Sequence, residues 1–394
     1  MIEDLDGLLE DIGIDSIILV GNAFEVPDIY WMTGFRSPDE IIAIHNRGEE
    51  TVVAAGFHTL DRVKTQGFIK RTYDLTELYR SLMASGKRAR NHPEMVYKEI
   101  LDNVFSGQVI GVPEHIPASH LLAIQGLGFD VKPVPDLLMD ARATKSNREV
   151  DLIRKAGSAT IDAITQILEM IKDADIGSND NLMWSGKPLT VGVIKKALDH
   201  FLLDQGAESA EDAIIAVGTK AFDWHYLGEP DDPLKAGMPI IMDVFPRLKR
   251  EMYVADVTRT VVKGNPEPKV REMFDGVLAA ADAVIDALRE GVTMDEVNLA
   301  CYNTLKEKGF DSSRLNPSAE EGMTHGLGHG IGLAVHEKPS MYEREALYEK
   351  GHVVAIEPGV YLKKFGGVRM ENDYVVRSGK PERLTPGLDD MMYL

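Results

Sequence analysis

Along the first 140 residues, short continuous apolar runs alternate with helical stripes. SIILVG, EIIAIHN, ETVVAAG, QVIGVPE and FDVKPVPD are rich in Val and Ile and punctuated by Gly, Pro, Asn and Asp, which predicts strands. IEDLDGLLEDIG and the stretches around 57–66, 75–85, 93–105 and 117–126 carry apolar residues every three or four positions and predict helices. Alternation of this kind predicts an α/β domain over residues 1–143.

The pattern then changes. In KSNREVDLIRKAGSATIDAITQILEMI, Val150, Ile153, Gly157, Ile161, Ile164, Leu168 and Ile171 form one stripe of a long helix. A polar stretch at 174–190 interrupts, and a second helix is predicted over about 190–205. His225 and two strand-like runs, MPIIMDVF and MYVADVTRTVV, come next. The same order returns. PKVREMFDGVLAAADAVIDALREG is helical, and TMDE opens another helix as a capping box, with Thr293 at the N-cap and Glu296 reaching back. His329 and the runs HVVAIEPGVYL and GVRMENDYVV complete it. Helix, helix, histidine, hairpin occurs twice, so residues 144–394 are expected to form one domain of two similar halves.

A chain of 394 residues exceeds one ordinary core, in keeping with two domains. Hydrophobic and charged fractions of 44% and 27% are those of a globular protein. The 63 acidic against 43 basic residues, a formal charge of -20, argue against nucleic acid or an anionic membrane as partner. No apolar run approaches the roughly 20 residues of a membrane span. The acidic N-terminus is unlike a signal peptide, so a cytoplasmic location is expected. The single cysteine, Cys301, lies in a helical pattern and reads as a small core residue, and core packing is the expectation for Trp31 and Trp224.

Each predicted hairpin of the second domain carries an acid on both strands: Asp243 and Asp256, then Glu357 and Glu371. A turn about Lys249–Arg250 sets Asp243 opposite Asp256, and a turn about Lys364 sets Glu357 opposite Glu371. Cross-strand partners hold their Cβ atoms about 5 Å apart on one face. Arg259 and Arg369 could neutralise one acid each, but four acids in register with a histidine nearby ask for cations between them. Two divalent ions balance four carboxylates, and one imidazole among oxygens suits Mn, Co, Fe or Zn. Such a pair lowers the pKa of a shared water from 15.7 towards about 7.

THGLGHGIGLAVHE (324–337) contains three histidines and four glycines. The glycines miss the third position of G-x-G-x-x-G and no GK[ST] follows, so it is no phosphate cradle. They are expected instead to let backbone crowd against a metal and a substrate.

HGLGHGIGLAVHE, IEPGVY, GGVRMEND and the ADVTRT run resemble the dinuclear metallopeptidases related to methionine aminopeptidase, closest to the Xaa-Pro branch of aminopeptidase P and prolidase. DIYWMTGF (28–35) is similar to that branch's N-terminal stretch. The resemblance implies an N-terminal α/β creatinase-like domain over 1–143. It implies an α+β pita-bread catalytic domain with two pseudo-symmetric halves over 144–394. It also implies Asp243, Asp256, His329, Glu357 and Glu371 as ligands of two divalent ions, manganese first. Asp256 and Glu371 bridge the ions, and Glu357 doubles as proton shuttle. His225 and His336 are implied as substrate contacts, and Tyr361 and Arg369 as supports of the site and the substrate; for His325 a structural or supporting place is expected. The implied reaction is hydrolysis of the bond between an N-terminal residue and proline by a metal-bridging hydroxide. The alternative is an Xaa-Pro dipeptidase, whose grip on the free carboxylate could fall to Arg369. A non-catalytic binding protein or a metal-free creatinase-like enzyme is disfavoured, because all five ligand positions are filled. A homodimer, with the N-terminal domain narrowing the partner's cleft, is implied as well. Three departures bear on specificity. The Asp243–Asp256 interval is two residues longer than usual, AVGTKAFDWHY replaces the usual run before the histidine, and 174–190 is an insertion.

Overall fold

The computed structural model describes residues 2–388 and 393–394, which form two compact units, 1–142 and 143–394. The first unit is a mixed sheet of β1 (Ser16–Gly21), β2 (Ile41–Asn46), β3 (Val52–Ala55), β4 (Arg71–Asp74), β5 (Val109–Val112) and β6 (Asp130–Pro133), in the order β4-β3-β2-β1-β5-β6. β1 runs antiparallel to β2 and parallel to β5. Every residue of β2 and β3 is buried, as a sheet covered on both faces requires. The helices are α1 (Ile2–Asp11), α2 (Pro27–Thr33), α3 (Phe57–Gln66), α4 (Thr76–Ala84), α5 (Pro93–Asn103), α6 (Ala118–Gly126) and α7 (Leu137–Ala143). α2 takes in most of DIYWMTGF, ending on Gly34 at φ 63, and Trp31 is buried.

The second unit opens with α8 (Asn147–Asp173), started by a capping box between Ser146 and Glu149. Its predicted stripe is buried throughout. At Gly157 a Cβ would come within 3.1 Å of the Leu384 carbonyl oxygen, so only glycine lets that strand of chain approach the helix. The polar interruption forms a small sheet of β7 (Asp175–Ile176), β8 (Leu182–Trp184) and β9 (Lys187–Pro188). Leu182 and Leu189 anchor it in the same core as α8 and α9 (Val191–Asp204).

The first half then supplies β10 (Ala207–Ser209), β11 (Ile214–Val217), β12 (Ile240–Val244), β13 (Pro246–Leu248) and β14 (Val257–Val261). The second half repeats a helix pair, α10 (Pro268–Ala287) and α11 (Met294–Glu307), the latter with the Thr293–Glu296 capping box. After it come β15 (Gly328–Gly330), β16 (Val353–Ile356), β17 (Gly359–Leu362), β18 (Gly366–Arg369), β19 (Asn372–Val375) and β20 (Glu382–Arg383). The sheets β11-β12-β14 and β15-β16-β19-β20 match strand for strand over their first three members. Each sheet lies on its own apolar core with its own helix pair.

The two hairpins differ in register. In the second, Ile356 pairs with Asn372 and Gly359 with Arg369, so both ladders run to Glu357 opposite Glu371, as expected. In the first, Asp243 pairs with Thr258, which corrects the expected Asp243–Asp256 pairing by two residues. The turn is larger than a symmetric one about Lys249–Arg250. β13 leaves to pair with β10, and Met252 takes a left-handed conformation at φ 65. A slip of two keeps Asp256 on the same face as Asp243, because side chains alternate with period two. Among the described residues no helix is long and apolar enough to cross a membrane.

Candidate metal centre

Asp256 and Glu371 occupy matching places, each one residue ahead of the strand, β14 or β19, that its half turns inward. His329 is the middle residue of β15, paired with Ala355 of β16. Ligand atoms of Asp256, His329 and Glu371 all lie within 4.8 Å of one another. His329 Nε2 is 3.7 Å from Asp256 Oδ2 and 3.7 Å from Glu371 Oε1. Its Nδ1 sits 3.1 Å from the Gly330 carbonyl oxygen. Nδ1–H therefore donates to that carbonyl, which leaves the lone pair on Nε2, the nitrogen nearer the two acids. Burial, helped by His336, lowers the imidazole pKa to about 4 and keeps it neutral.

The other two expected ligands stand at the rim of this cluster. Asp243 Oδ2 accepts from Arg369 Nη2 at 2.5 Å, and Glu357 Oε2 lies 3.8 Å from His325 Nδ1. Burial lifts Asp256 and Glu371 well above the usual carboxylate range, with their acidic neighbours adding to it. Burial also lifts Glu357 to about 8, against Arg369 and with Asp243. Asp243 Oδ1, Asp256 Oδ1 and Glu371 Oε1 are buried without a hydrogen-bond partner. Orphaned oxygens on Asp256 and Glu371, two carboxylates grouped with a neutral imidazole nitrogen, fit a divalent cation.

The halves hold each other's acids. Thr258 Oγ1 of the first half donates to Glu371 Oε2 at 2.7 Å. The Asp256 amide donates to Asp373 Oδ2 of the second half at 3.0 Å. Arg369 of the second half grips Asp243 of the first, and its other nitrogens reach Thr258 Oγ1, the Trp224 carbonyl and the Tyr361 hydroxyl. Arg259 is held by backbone and amide oxygens. Its guanidinium donates to the carbonyls of Thr258, Glu371 and Leu388 and to Asn372 Oδ1.

His225 and His336 are exposed. The His336 ring lies 4.3 Å from that of His329, and His225 stacks against Trp224 at 3.7 Å. Trp224 is half-buried and packs against the small core of Ile214, Ala216, Ala221, Ile241 and Tyr361. His325 takes a supporting place: Tyr361 donates its hydroxyl to His325 Nε2 at 3.0 Å while accepting from Arg369 Nη1 at 2.8 Å. Burial lowers the His325 pKa to about 3. The glycines of 324–337 crowd against protein. A Cβ on Gly328 would sit 1.9 Å from the Ala355 carbonyl oxygen, and one on Gly330 2.4 Å from that of Lys338. Thr258, Asp373 and Glu337 escaped sequence reading. Asp373 could have been found, since it lies two residues past Glu371 on the same face. Behind His325 a cavity of about 380 Å³ opens between α11 and the 311–328 and 341–344 loops, lined by Asn298, Tyr302, Arg314, Tyr342 and Arg344 among others.

The sequence profile of metallopeptidase family M24 matches residues 151–378. The chain belongs to metallopeptidase family M24. An Xaa-Pro dipeptidase of Pyrococcus horikoshii is 31% identical over 263 residues, 65% of this chain and just under two thirds (66%) of that protein. Among solved structures, an Xaa-Pro dipeptidase from Bacillus anthracis superposes with a TM-score of 0.81 at 22% identity, covering 100% of this chain and 99% of the other. An X-Pro aminopeptidase from Thermotoga maritima does so at 0.79 and 22%, covering 98% and 100%. The M24 chain thus has the two-domain pita-bread fold, and its matched halves are the halves of that fold.

Proposed function

We propose that the chain hydrolyses the peptide bond between an N-terminal residue and a following proline, using two divalent ions held by Asp243, Asp256, His329, Glu357 and Glu371. The observation that carries this reading is the group of Asp256, His329 and Glu371, in which each acid has one buried oxygen without a hydrogen-bond partner and the imidazole is neutral. Divalent ions bound there supply Lewis acidity and a water of lowered pKa. Glu357 takes a proton from the attacking water and passes it to the departing proline nitrogen. His336 and His225, exposed beside the cluster, donate to the substrate carbonyl oxygen as charge builds there. Tyr361, Arg369 and His325 form a buried chain that orients Asp243.

Removal of a dipeptide's second residue requires a cation for the carboxylate beside proline. Arg369 is 3% exposed and committed to Asp243, which supports an aminopeptidase over a dipeptidase. The acid that protonates the leaving nitrogen marks the side on which the rest of the peptide lies. His325 adjoins Glu357 and lines the large cavity, so that cavity offers room for residues beyond proline. The dipeptidase reading is favoured by the naming of the Pyrococcus horikoshii relative. Manganese is the ion we propose first, and a homodimer is proposed on the family resemblance. Dialysed protein re-supplied with Mn, Co or Zn should cleave Xaa-Pro-Xaa-Xaa peptides with higher kcat/KM than Ala-Pro or Gly-Pro. The reverse order establishes the dipeptidase, and no cleavage of either class rejects the proposal.

A further inference from the structure

Glu337 directly follows His336, yet its side chain is only 1% exposed. A carboxylate so buried needs donors. Oε1 accepts the backbone N–H groups of Leu333 at 2.8 Å and Ala334 at 2.9 Å. Oε2 lies 3.3 Å from Lys145 Nζ, whose side chain is 2% exposed and which also donates to the Lys338 carbonyl at 3.3 Å. The Glu337 amide donates to the Gly330 carbonyl at 2.8 Å, and the Gly330 amide donates to that of Pro339 at 3.1 Å. Gly332 makes room for the carboxylate: a Cβ there would sit 2.5 Å from Glu337 Oε2. The Gly332 carbonyl in turn accepts the Val254 amide at 2.8 Å, tying the loop to the first half. Residues 330–337 are thereby closed into a loop. His329 precedes one end and His336 lies at the other, with their rings 4.3 Å apart.

We propose that the buried Glu337–Lys145 pair is a positioning device for His336. The carboxylate closes the loop and Lys145 fixes the carboxylate, so the pair sets where His336 stands relative to the metal-binding His329. Neither residue touches substrate in this account. The proposal rests on the reading that His336 acts on the scissile carbonyl. A displacement of about 1 Å at such a group costs on the order of a hundredfold in rate. Lys145→Met should therefore lower kcat by roughly ten- to a hundredfold, with KM little changed and the full metal content retained. In a His336→Ala background, Lys145→Met should have no further effect on kcat, since the group it positions is gone. On metal-free protein, hydrogen exchange across 330–338 should quicken in Lys145→Met and leave the helices of the second unit unchanged. The double variant Lys145→Met, Glu337→Gln removes both buried charges, and the same results are expected of it should the single variant fail to fold. Equal losses of kcat with and without His336 overturn the proposal, as does loss of metal in Lys145→Met or unchanged exchange over 330–338. Wild-type protein that cleaves no Xaa-Pro peptide instead rejects the functional reading, and the exchange measurement still decides whether the pair closes the loop.

Discussion

The first half of the second unit sets Asp243 inside β12, paired across the ladder with Thr258, while Asp256 lies two residues before Thr258, just ahead of β14. The second half sets Glu357 and Glu371 directly across from each other, in the gap between the β16–β19 and β17–β18 ladders. Two registers thus each leave a pair of acids on one face of a hairpin. A slip of two residues is harmless because it returns both acids to one face, whereas a slip of one would send an acid into the apolar core. The halves also differ in how their acids are held. Asp243 is gripped by Arg369, Glu371 by Thr258, and the Asp256 amide by Asp373, each from the opposite half. The duplicated unit is therefore reciprocal: neither half holds its own acids in place alone.

If the halves contribute equally, removing the matching acid from either should be equally damaging. Asp256→Asn and Glu371→Gln should each lose metal and lower kcat/KM by more than the roughly hundredfold seen for outer-sphere changes at metal sites. Metal analysis and peptide assays on folded protein check this, and one variant remaining active would make the site asymmetric. The histidines sharpen the comparison at the next level. His336→Ala should keep its metal and lose about a hundredfold in kcat, about 3 kcal/mol, whereas His329→Ala should lose metal too. His225→Ala tests whether the first half supplies an equivalent donor, and the account expects a loss of the same order in kcat.

Reciprocity itself is tested by Thr258→Val, which removes the hydrogen bond to Glu371 and leaves every ligand in place. Metal affinity should fall about tenfold, read by titration with manganese; unchanged affinity would mean that Glu371 is held by its own half. The smallest expected effect is on pH-dependent stability. In metal-free protein, burial lifts Glu357 and Asp373 to about 8, above their ordinary values of 4.5 and 3.8. The folded state then holds protons that the unfolded chain has released. The stability they contribute is complete below about pH 4 and is lost as pH rises through about 8. The Tm of metal-free protein should fall across this window more steeply than that of metal-loaded protein, and parallel slopes would contradict the assignment.

Sequence reading reached what depends on periodicity and local chemistry. The stripe of α8, the capping box at Thr293 and the second hairpin's register all follow from residues close in sequence. It missed the first hairpin's register because β13 departs to pair with β10, a long-range choice that no local pattern carries. Arg369 was legible as a member of the site, but its partner lies 126 residues away in the other half. Thr258 looked like an ordinary strand residue, since hydroxyls suit β-strands whether or not they hold a carboxylate. The glycines of 324–337 were rightly read as forced by close approach, but what approaches, the Ala355 and Lys338 backbone, is set by tertiary packing.

The central claim is that the two halves together build one centre for two cations. Titration of dialysed protein with manganese, following bound metal and cleavage of an Xaa-Pro-Xaa-Xaa peptide in the same samples, tests it most directly. The account predicts two ions bound per chain, with full activity only when both are present. Full activity at one ion per chain, or activity in protein stripped of metal, would contradict it.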